Sequence, residues 1–328
     1  MSTMMDKYKQ NEILKLQNQH NDTLKNLNIH LLRNIQFIKS LRIGNKLPFI
    51  RRLIQNYNNR LRNLENLLNQ NIHDVNIYTN DFPITFNNKK ALLIGINYIG
   101  TDHELNGCID DVERMKSFLE TKGFNNFDIM TDLTDVKPTR FNILDKIKNL
   151  VNTSVEGDLL FIYFSGHGSY TYDFNGDEKD GKDELIISSD LKYVVDDEIK
   201  NILNKFSKKN VSIIGMFDSC HSGTMMDLRY HYDYLKNNYS ENVMNKKCLS
   251  NVLMIGGCMD DQTSLEAIID GTPQGALTYT FMDVMNSKNN LSWKELIYDM
   301  HESLKSRHFP QIPQISTNIF FNIDGKVF

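Results

Sequence analysis

The sequence has few of the residues that mark fibrous, secreted or membrane-spanning chains. Among 328 residues there are four cysteines, six prolines and one tryptophan. Four cysteines are too few for a disulfide scaffold, and six prolines exclude a proline-rich spacer. No run approaches the ~18 apolar residues of a membrane span, and the first residues lack the apolar stretch of a signal peptide. We therefore expect an intracellular, cytoplasmic protein with a globular core.

Positive charge is concentrated at the N-terminal end. Residues 1–65 carry 12 Lys and Arg against 4 Asp and Glu, whereas the remainder carries 25 against 37. Such a basic segment can attract nucleic acid or an anionic lipid surface. The few aromatic residues of this segment do not alternate regularly with the charges, as those of a nucleic-acid platform would. We expect no nucleic-acid partner and favour docking of this segment near the acidic remainder of the chain.

The N-terminal segment predicts two amphipathic helices. Leu24, Leu27, Leu31 and Ile35 recur at three- and four-residue steps, and a second stripe runs from Ile50 to Leu68. A Gly/Pro break over residues 43–48 separates the stripes, which is typical of a helical hairpin. A loose segment is expected over 70–88. We define residues 1–85 as a basic, Asn-rich extension that offers apolar faces to a possible helical partner, on an otherwise monomeric chain.

The pattern changes from Lys90 onward, where short apolar runs alternate with helical stretches. The predicted strands are Ala91–Ile96, Phe127–Met130, Leu159–Phe164, Glu184–Ser188, Val211–Phe217 and Val252–Ile255. The predicted helices cover residues 107–122, 139–151, 196–207, 275–286 and 292–306. Apolar strands alternating with helices predict an α/β fold, a mostly parallel sheet with helices on both faces. In such sheets functional residues gather beyond the carboxyl ends of the strands.

Two of these strand ends carry residues suited to nucleophilic catalysis. The third strand continues into Ser-Gly-His167-Gly168, and the fifth into Asp218-Ser-Cys220-His221. A thiol needs a neighbouring base to become a good nucleophile, and an imidazole can supply it and later protonate a leaving amine. Backbone N–H groups of Gly168 and Cys220 could hold an oxyanion.

Other interpretations of these residues remain open. A single cysteine at a strand end is usually a buried apolar residue, and a single histidine is usually structural. His221 is a rival base, although its side chain should point away from the side that Cys220 faces. A zinc site is disfavoured because the sequence has no Cys-x-x-Cys pair.

At this point the sequence resembles the type I metacaspases, within the caspase-like cysteine peptidases. The matching stretches, in the family's order, are ALLIGINY (91–98), LNGCIDD (105–111), FIYFSGHGS (161–169), DGKDE (180–184), VVDDE (194–198), FDSCHSG (217–223) and GGCMDDQTS (256–264). The histidine precedes the cysteine by 53 residues, close to the caspase spacing of about 50. The caspase Gln-Ala-Cys signature is absent, and Asp-Ser-Cys stands in its place.

The resemblance implies a caspase-like fold and a cysteine endopeptidase with a His167–Cys220 dyad. It also implies a P1 pocket lined by Asp111, Ser165 and Asp218, with Cys108 contributing main chain. Paired carboxylates prefer Arg or Lys at P1, and Arg can bind bidentately. The expected substrates are therefore proteins or peptides with basic P1 residues. Asp111 alone could equally be an acid favoured at a helix N-terminus. Cys258 matches a second family cysteine, to which we assign no catalysis.

An acidic segment suggests a calcium site. Residues 173–198 hold ten Asp and Glu against three Lys, a density that suits Ca²⁺, which takes six to eight oxygen ligands. The segment is not an EF-hand, and the alternative is a solvated acidic loop. By resemblance, calcium is the activating cofactor, and its ligands map to Asp183, Asp196, Asp197 and Asp227.

The catalytic domain is predicted over residues 86–328. It comprises a large-subunit-like part (86–230), a linker (231–250) and a small-subunit-like part (251–328). The linker region is expected to be an exposed, basic loop where a protease of basic specificity could cut itself, at Arg229, Lys236, Lys246 or Lys247, or only a connector. The alternative function is a catalytically weak homologue that acts as a binding or scaffold protein.

Overall fold

The chain forms two compact units, Met1–Asn80 and Asp81–Phe328. The structure, a computed structural model, describes residues 2–40, 47–77, 83, 85–172, 182–219, 225–242, 248–257, 266–269, 271–319 and 321–327. No helix in these ranges is long and apolar enough to cross a membrane.

The N-terminal unit consists of two long helices, α1 (Ser2–Ser40) and α2 (Leu47–Ile77), which contact each other. The helical pair was predicted, but its extent differs. The second helix continues to Ile77, so the prediction of a loose segment is wrong for residues 70–77. Pro48 lies in the first turn of α2, where a missing N–H breaks no helical hydrogen bond.

The second unit is built on an eight-stranded sheet in the order β2-β1-β3-β7-β10-β13-β8-β9. The first five strands in this order are mutually parallel, and the last three add antiparallel pairings. The strand bounds are β1 Lys89–Gly95, β2 Asn126–Thr131, β3 Leu159–Ser165, β7 Ser212–Asp218, β8 Tyr230–Asp233, β9 Asn238–Glu241, β10 Asn251–Gly256 and β13 Gln314–Thr317. The mostly parallel sheet predicted from the apolar runs is therefore present.

Helices cover the two faces of this sheet and bury two apolar layers. Their bounds are α3 Cys108–Thr121, α4 Arg140–Asn152, α5 Asp196–Phe206, α6 Ala276–Ser287 and α7 Trp293–Ser306. One core layer centres on Phe161, Phe281 and Trp293, and the other on Ile94, Phe164 and Phe217. Because alternate residues of β3 point to opposite faces, a continuous apolar strand fills both layers.

Two smaller sheets lie outside the central one. They are β4 (Gly168–Tyr172), β5 (Lys182–Ile187) and β6 (Tyr193–Val195) in one antiparallel sheet, and β11 (Glu266–Ile269) with β12 (Thr272–Gly275) in the other. The apolar run at 184–188 forms a strand, as predicted, but in the small sheet. An apolar run identifies a buried strand and does not identify its partner.

The linker is more ordered than its polar composition indicates. Residues Tyr230–Asp233 and Asn238–Glu241 form an antiparallel hairpin at the end of the central sheet. Tyr230 and Tyr232 are buried and pair with β13. The expectation of an exposed loop is therefore wrong for this part of the linker, whose alternate tyrosines face the core.

Candidate active site

The site lies beyond the carboxyl ends of β3 and β7, which are neighbours in the sheet. Their register pairs Ser165, the last residue of β3, with Asp218, the last residue of β7. His167 follows two residues after Ser165. Cys220, at the equivalent distance after Asp218, lies outside the described residues, as do His221 and Cys258.

The imidazole of His167 is held in one orientation by main chain. Its Nε2 atom lies 2.8 Å from the carbonyl oxygen of His103, in the loop between β1 and α3. A carbonyl can only accept, so Nε2 carries the proton in this contact and Nδ1 is left able to accept one. The geometry therefore presents His167 as a base through Nδ1.

Tyr98 positions the backbone at the same point. Its buried hydroxyl accepts a hydrogen bond from the His167 N–H at 2.9 Å and donates one to the Ile187 carbonyl at 2.7 Å. The rings of Tyr98 and His167 lie 4.7 Å apart, centroid to centroid. Tyr98 has a φ of 52°, a conformation that non-glycine residues rarely adopt. Burial and the neighbouring charges raise the pKa of Tyr98 far above its ordinary value, so the phenol stays protonated.

Asp111 is completely buried on α3 and makes three polar contacts. One carboxylate oxygen accepts from the Arg114 guanidinium at 2.7 Å. The other accepts from the Ser165 hydroxyl at 3.1 Å and from the Gly275 N–H at 2.9 Å. Desolvation, followed by the nearby charge of Asp218, raises the pKa of Asp111 to about 6, against the opposing pull of Arg114.

Asp218 faces the same space from β7. Its Oδ2 atom accepts from both the N–H and the hydroxyl of Thr278 on α6, at 2.9 and 2.7 Å. The Thr278 hydroxyl in turn contacts the buried hydroxyl of Tyr163 at 2.7 Å. A Cβ on Gly275 would overlap the Asp218 carboxylate and approach that of Asp111. Glycine is therefore required where the chain passes between the two acids.

Three of the four predicted pocket residues thus converge. Asp111, Ser165 and Asp218 meet around Gly275 and form a buried group with two carboxyls, which we call the acidic pocket. Cys108 is buried one turn before Asp111, and its carbonyl lies close to Gly95. Gly168 begins β4 and pairs with Ile186.

The predicted metal ligands lie at a second location, where β5 meets the start of α5. Asp183, Asp196 and Asp227 are buried, and Asp197 is partly exposed. Asp196 accepts hydrogen bonds from the N–H groups of Glu184 and Asp197. Burial raises the pKa of Asp196 well above its ordinary range, and Asp227 and Glu184 add to the shift.

A lysine accompanies these acids. Lys200 Nζ lies 3.3 Å from Asp227 Oδ2 and 3.9 Å from Asp197 Oδ1. Asp227 Oδ1 is buried without a hydrogen-bond partner, and Asp227 has a φ of 49°. Over the described ranges, no three His, Cys, Asp or Glu side chains are grouped as metal ligands would be.

Several residues that shape the site were not singled out from the sequence. Tyr98 ends the ALLIGINY stretch, and Arg114 is three residues from Asp111, a spacing that favours a helical ion pair. The sequence therefore contained a pattern that could have indicated Tyr98 and Arg114. No such pattern indicates Gly275 or Thr278. Gly275 lies 164 residues from Asp111 in the sequence, and Thr278 lies 60 residues from Asp218.

Comparison with known proteins gives a consistent result. A family model described as "Metacaspase, peptidase C14 domain" matches residues 89–229. Metacaspase-1 of Lodderomyces elongisporus is 34% identical over 76% of this chain and 69% of its own length. Metacaspase-1B of Aspergillus clavatus is 34% identical over 70% of this chain and 68% of its own.

A solved structure shares the fold. The crystal structure of a protein from Geobacter sulfurreducens aligns with a TM-score of 0.53 and 26% identity, over 71% of this chain and 94% of that one. One family accounts for the parallel sheet, for the neighbouring ends of β3 and β7, and for the two fungal relatives. The chain belongs to the metacaspase family of caspase-like cysteine peptidases.

Proposed function

We propose that this cysteine peptidase cleaves after Arg or Lys through a Cys220–His167 dyad. The observation that carries the proposal is the β3–β7 register, which ends both strands side by side at Ser165 and Asp218. Each proposed dyad residue follows the end of its strand by two positions. Because the two strands are parallel neighbours, we expect both residues at the same edge of the sheet.

The reaction follows from the groups at this edge. His167 Nδ1 accepts the thiol proton of Cys220, and the sulfur attacks the scissile carbonyl. The imidazolium then gives the proton to the leaving amine as the C–N bond breaks, leaving a thioester. The same imidazole takes a proton from water, whose oxygen attacks the thioester. The C–S bond then breaks, the acid product leaves, and the imidazolium returns the proton to the Cys220 sulfur. Main-chain N–H groups of Gly168 and Cys220 are proposed to stabilise the oxyanion. The His103 carbonyl supports the imidazolium through Nε2–H.

The acidic pocket supports the basic specificity. Asp111 and Asp218 place two carboxyls around Gly275, and the Arg114 guanidinium brings one positive charge to Asp111. A guanidinium or ammonium group at P1 would bring a second positive charge, whereas an acidic P1 residue would add a third carboxylate to a poorly solvated space.

Calcium is proposed as the activating ion. Asp183, Asp196, Asp197 and Asp227 would hold it, and carboxylate oxygens are the donors that Ca²⁺ prefers. The buried Asp227 oxygen without a partner fits such a ligand. When bound, the ion would supply the charge that lets these carboxylates draw together. Because β5 carries Asp183 and also Ile187, which Tyr98 contacts, ordering at the acids is proposed to reach His167.

Peptide hydrolysis tests the proposal directly. We expect the full-length chain, with calcium, to cleave Arg-P1 and Lys-P1 reporters and to leave Asp-P1 reporters intact, and Cys220→Ala to be inactive. Equal hydrolysis by wild type and Cys220→Ala would contradict the dyad and favour a binding or scaffold role. Preference for Asp-P1 would contradict the pocket, and equal activity in excess chelator would contradict calcium control.

A further inference from the structure

Lys200 is an unusual residue for its surroundings. It lies in the second turn of α5, with only 11% of its side chain exposed. Lysine is rarely buried to this degree unless its ammonium group is paired. Here the ammonium lies between Asp227 and Asp197, so it supplies positive charge at an acid cluster. The cluster consists of three proposed calcium ligands, Asp196, Asp197 and Asp227, and of Glu184 beside them.

The contact with Lys200 leaves one carboxylate oxygen of the acid cluster without a hydrogen-bond partner. Asp227 is 3% exposed, and its second oxygen has no hydrogen-bond partner. Asp196 is completely buried and is satisfied by two backbone N–H groups. A buried carboxylate oxygen without a donor is costly, so this position is suited to a cation with more charge than one ammonium group.

Geometry makes Lys200 and such a cation mutually exclusive. Calcium binds oxygens at 2.3–2.6 Å and collects six or more of them. The ammonium already lies between the carboxylates of Asp197 and Asp227 that an ion would have to draw together. Two cations at this point would also repel each other strongly, because little water is present to screen them.

We propose that the ammonium group of Lys200 is a tethered competitor of calcium at the acid cluster. This inference rests on the proposed calcium site. Calcium binds only when the lysine side chain leaves the space between Asp197 and Asp227. The tether is short, since Lys200 follows Asp197 by one helical turn. The ammonium group therefore stays close to the acids, and it raises the calcium concentration needed to fill the site.

The side chain has a route out of the cluster. Lysine has a flexible four-carbon stem, and 11% of the Lys200 side chain is exposed, so the side chain borders the surface. Withdrawal gives up the contacts with Asp227 and Asp197, at 3.3 and 3.9 Å, and lets water solvate the ammonium. Removing this charge should leave the acids less stable without calcium and more receptive to it.

The test compares Lys200→Met with Lys205→Met in the full-length chain. Lys205 is on the same helix but exposed, so its variant loses the same charge away from the acids. Calcium affinity is measured by isothermal titration calorimetry, and melting temperature is measured with and without calcium. We expect Lys200→Met to bind calcium about tenfold or more tightly and to melt lower without it. Lys205→Met should match the wild type in both.

Two further variants separate the charge of Lys200 from its bulk and its hydrogen bonds. Lys200→Arg keeps the charge and should bind calcium within about threefold of wild type. If Lys200→Met does not fold, Lys200→Gln replaces it in the comparison. The glutamine amide is neutral and can still hydrogen-bond a carboxylate. Unchanged or weaker calcium affinity in the neutral variants would overturn the inference, as would an equal gain in Lys200→Arg.

The same titrations distinguish a wrong role for Lys200 from a wrong calcium site. If the wild type binds calcium and the neutral variants bind it no better, only the role of Lys200 is wrong. If neither the wild type nor any variant binds calcium, the calcium site itself is wrong, and the role of Lys200 falls with it.

Discussion

Two buried tyrosines contact different parts of the candidate site, one at the proposed base and the other at the acidic pocket. Tyr98 contacts the backbone of His167, whereas Tyr163 contacts Thr278, which holds the Asp218 carboxylate. Both hydroxyls are buried and hydrogen-bonded, so their removal costs similar stability. Their effects on kinetics should differ because one acts on the base and the other on the acidic pocket.

The matched pair Tyr98→Phe and Tyr163→Phe tests this division. We expect Tyr98→Phe to lower kcat about tenfold with little change in KM, because the His167 N–H loses its acceptor. Tyr163→Phe should mainly raise KM for an Arg-P1 peptide. Each variant should lose about 1–3 kcal/mol of unfolding free energy. Steady-state kinetics and denaturant unfolding measure both, and the same kinetic change in the two variants would contradict the division.

The pH dependence of substrate recognition follows from Asp111. Burial and Asp218 raise its pKa to about 6, so it is ionised above that pH and neutral below it. Attraction for an Arg side chain should therefore be strongest above pH 6 and weaken as the pH falls through 6. The measured quantity is kcat/KM for an Arg-P1 peptide divided by kcat/KM for its neutral citrulline analogue. We expect this ratio to fall roughly tenfold as the pH falls from well above 6 to well below 6.

Using a ratio cancels titration of the dyad, since both peptides depend on the same imidazole. Asp111→Asn is the control variant. It should show a lower ratio at pH 8 and no step near pH 6. A step that persists in Asp111→Asn would assign the titration to another group.

At the scale of elements, the β8–β9 hairpin limits where the chain can be cut. Arg229 is paired with Glu241 at the start of the hairpin and has 21% of its side chain exposed, whereas Lys236 lies in the turn with 79% exposed. A protease must bind the cleaved segment in an extended form, which a turn permits more readily than a paired strand. Lys246 and Lys247 lie outside the described residues.

We expect any self-cleavage within the hairpin to occur after Lys236. Incubation with calcium, followed by mass spectrometry of the fragments, would locate the cut. Lys236→Gln should remove that fragment and leave activity toward small peptides intact. A fragment that ends at Arg229 would show instead that the hairpin opens before cleavage.

At the scale of the whole molecule, the second compact unit has an apolar interior of its own. Both core layers of the second unit are formed by residues from Phe86 onward. Within the described ranges, neither of the two long helices contributes a residue to either layer. The stability of the second unit should therefore depend little on the first 80 residues.

Deletion of residues 1–80 tests this independence. We expect the shortened chain to fold and to melt within about 2 °C of the corresponding transition in the full chain. Unchanged peptide hydrolysis with altered association would indicate that the extension docks to a partner. Increased hydrolysis would indicate an inhibitory role. Failure to fold would contradict the division into two units.

Much of the architecture could be predicted because the apolar pattern of each segment determines its secondary structure. The apolar runs of β1, β3, β7 and β10 are continuous and short, a pattern typical of strands buried on both faces. The helices between them have strong apolar periodicity, so α3 to α7 were placed within a residue or two. The antiparallel strands β8, β9 and β13 were missed because they are short and polar on one face.

The sequence alone determined which residues are candidates for the chemistry: a histidine and a cysteine after two apolar strands, and acids beside them. Only the tertiary structure decided which of these meet. The β3–β7 register places Ser165 beside Asp218, and α6 brings Thr278 to Asp218 from 60 residues away. Likewise, the fold brings Asp227 to Lys200 from 27 residues away. Contacts between distant residues depend on the packing of whole elements, and no local pattern encodes that packing.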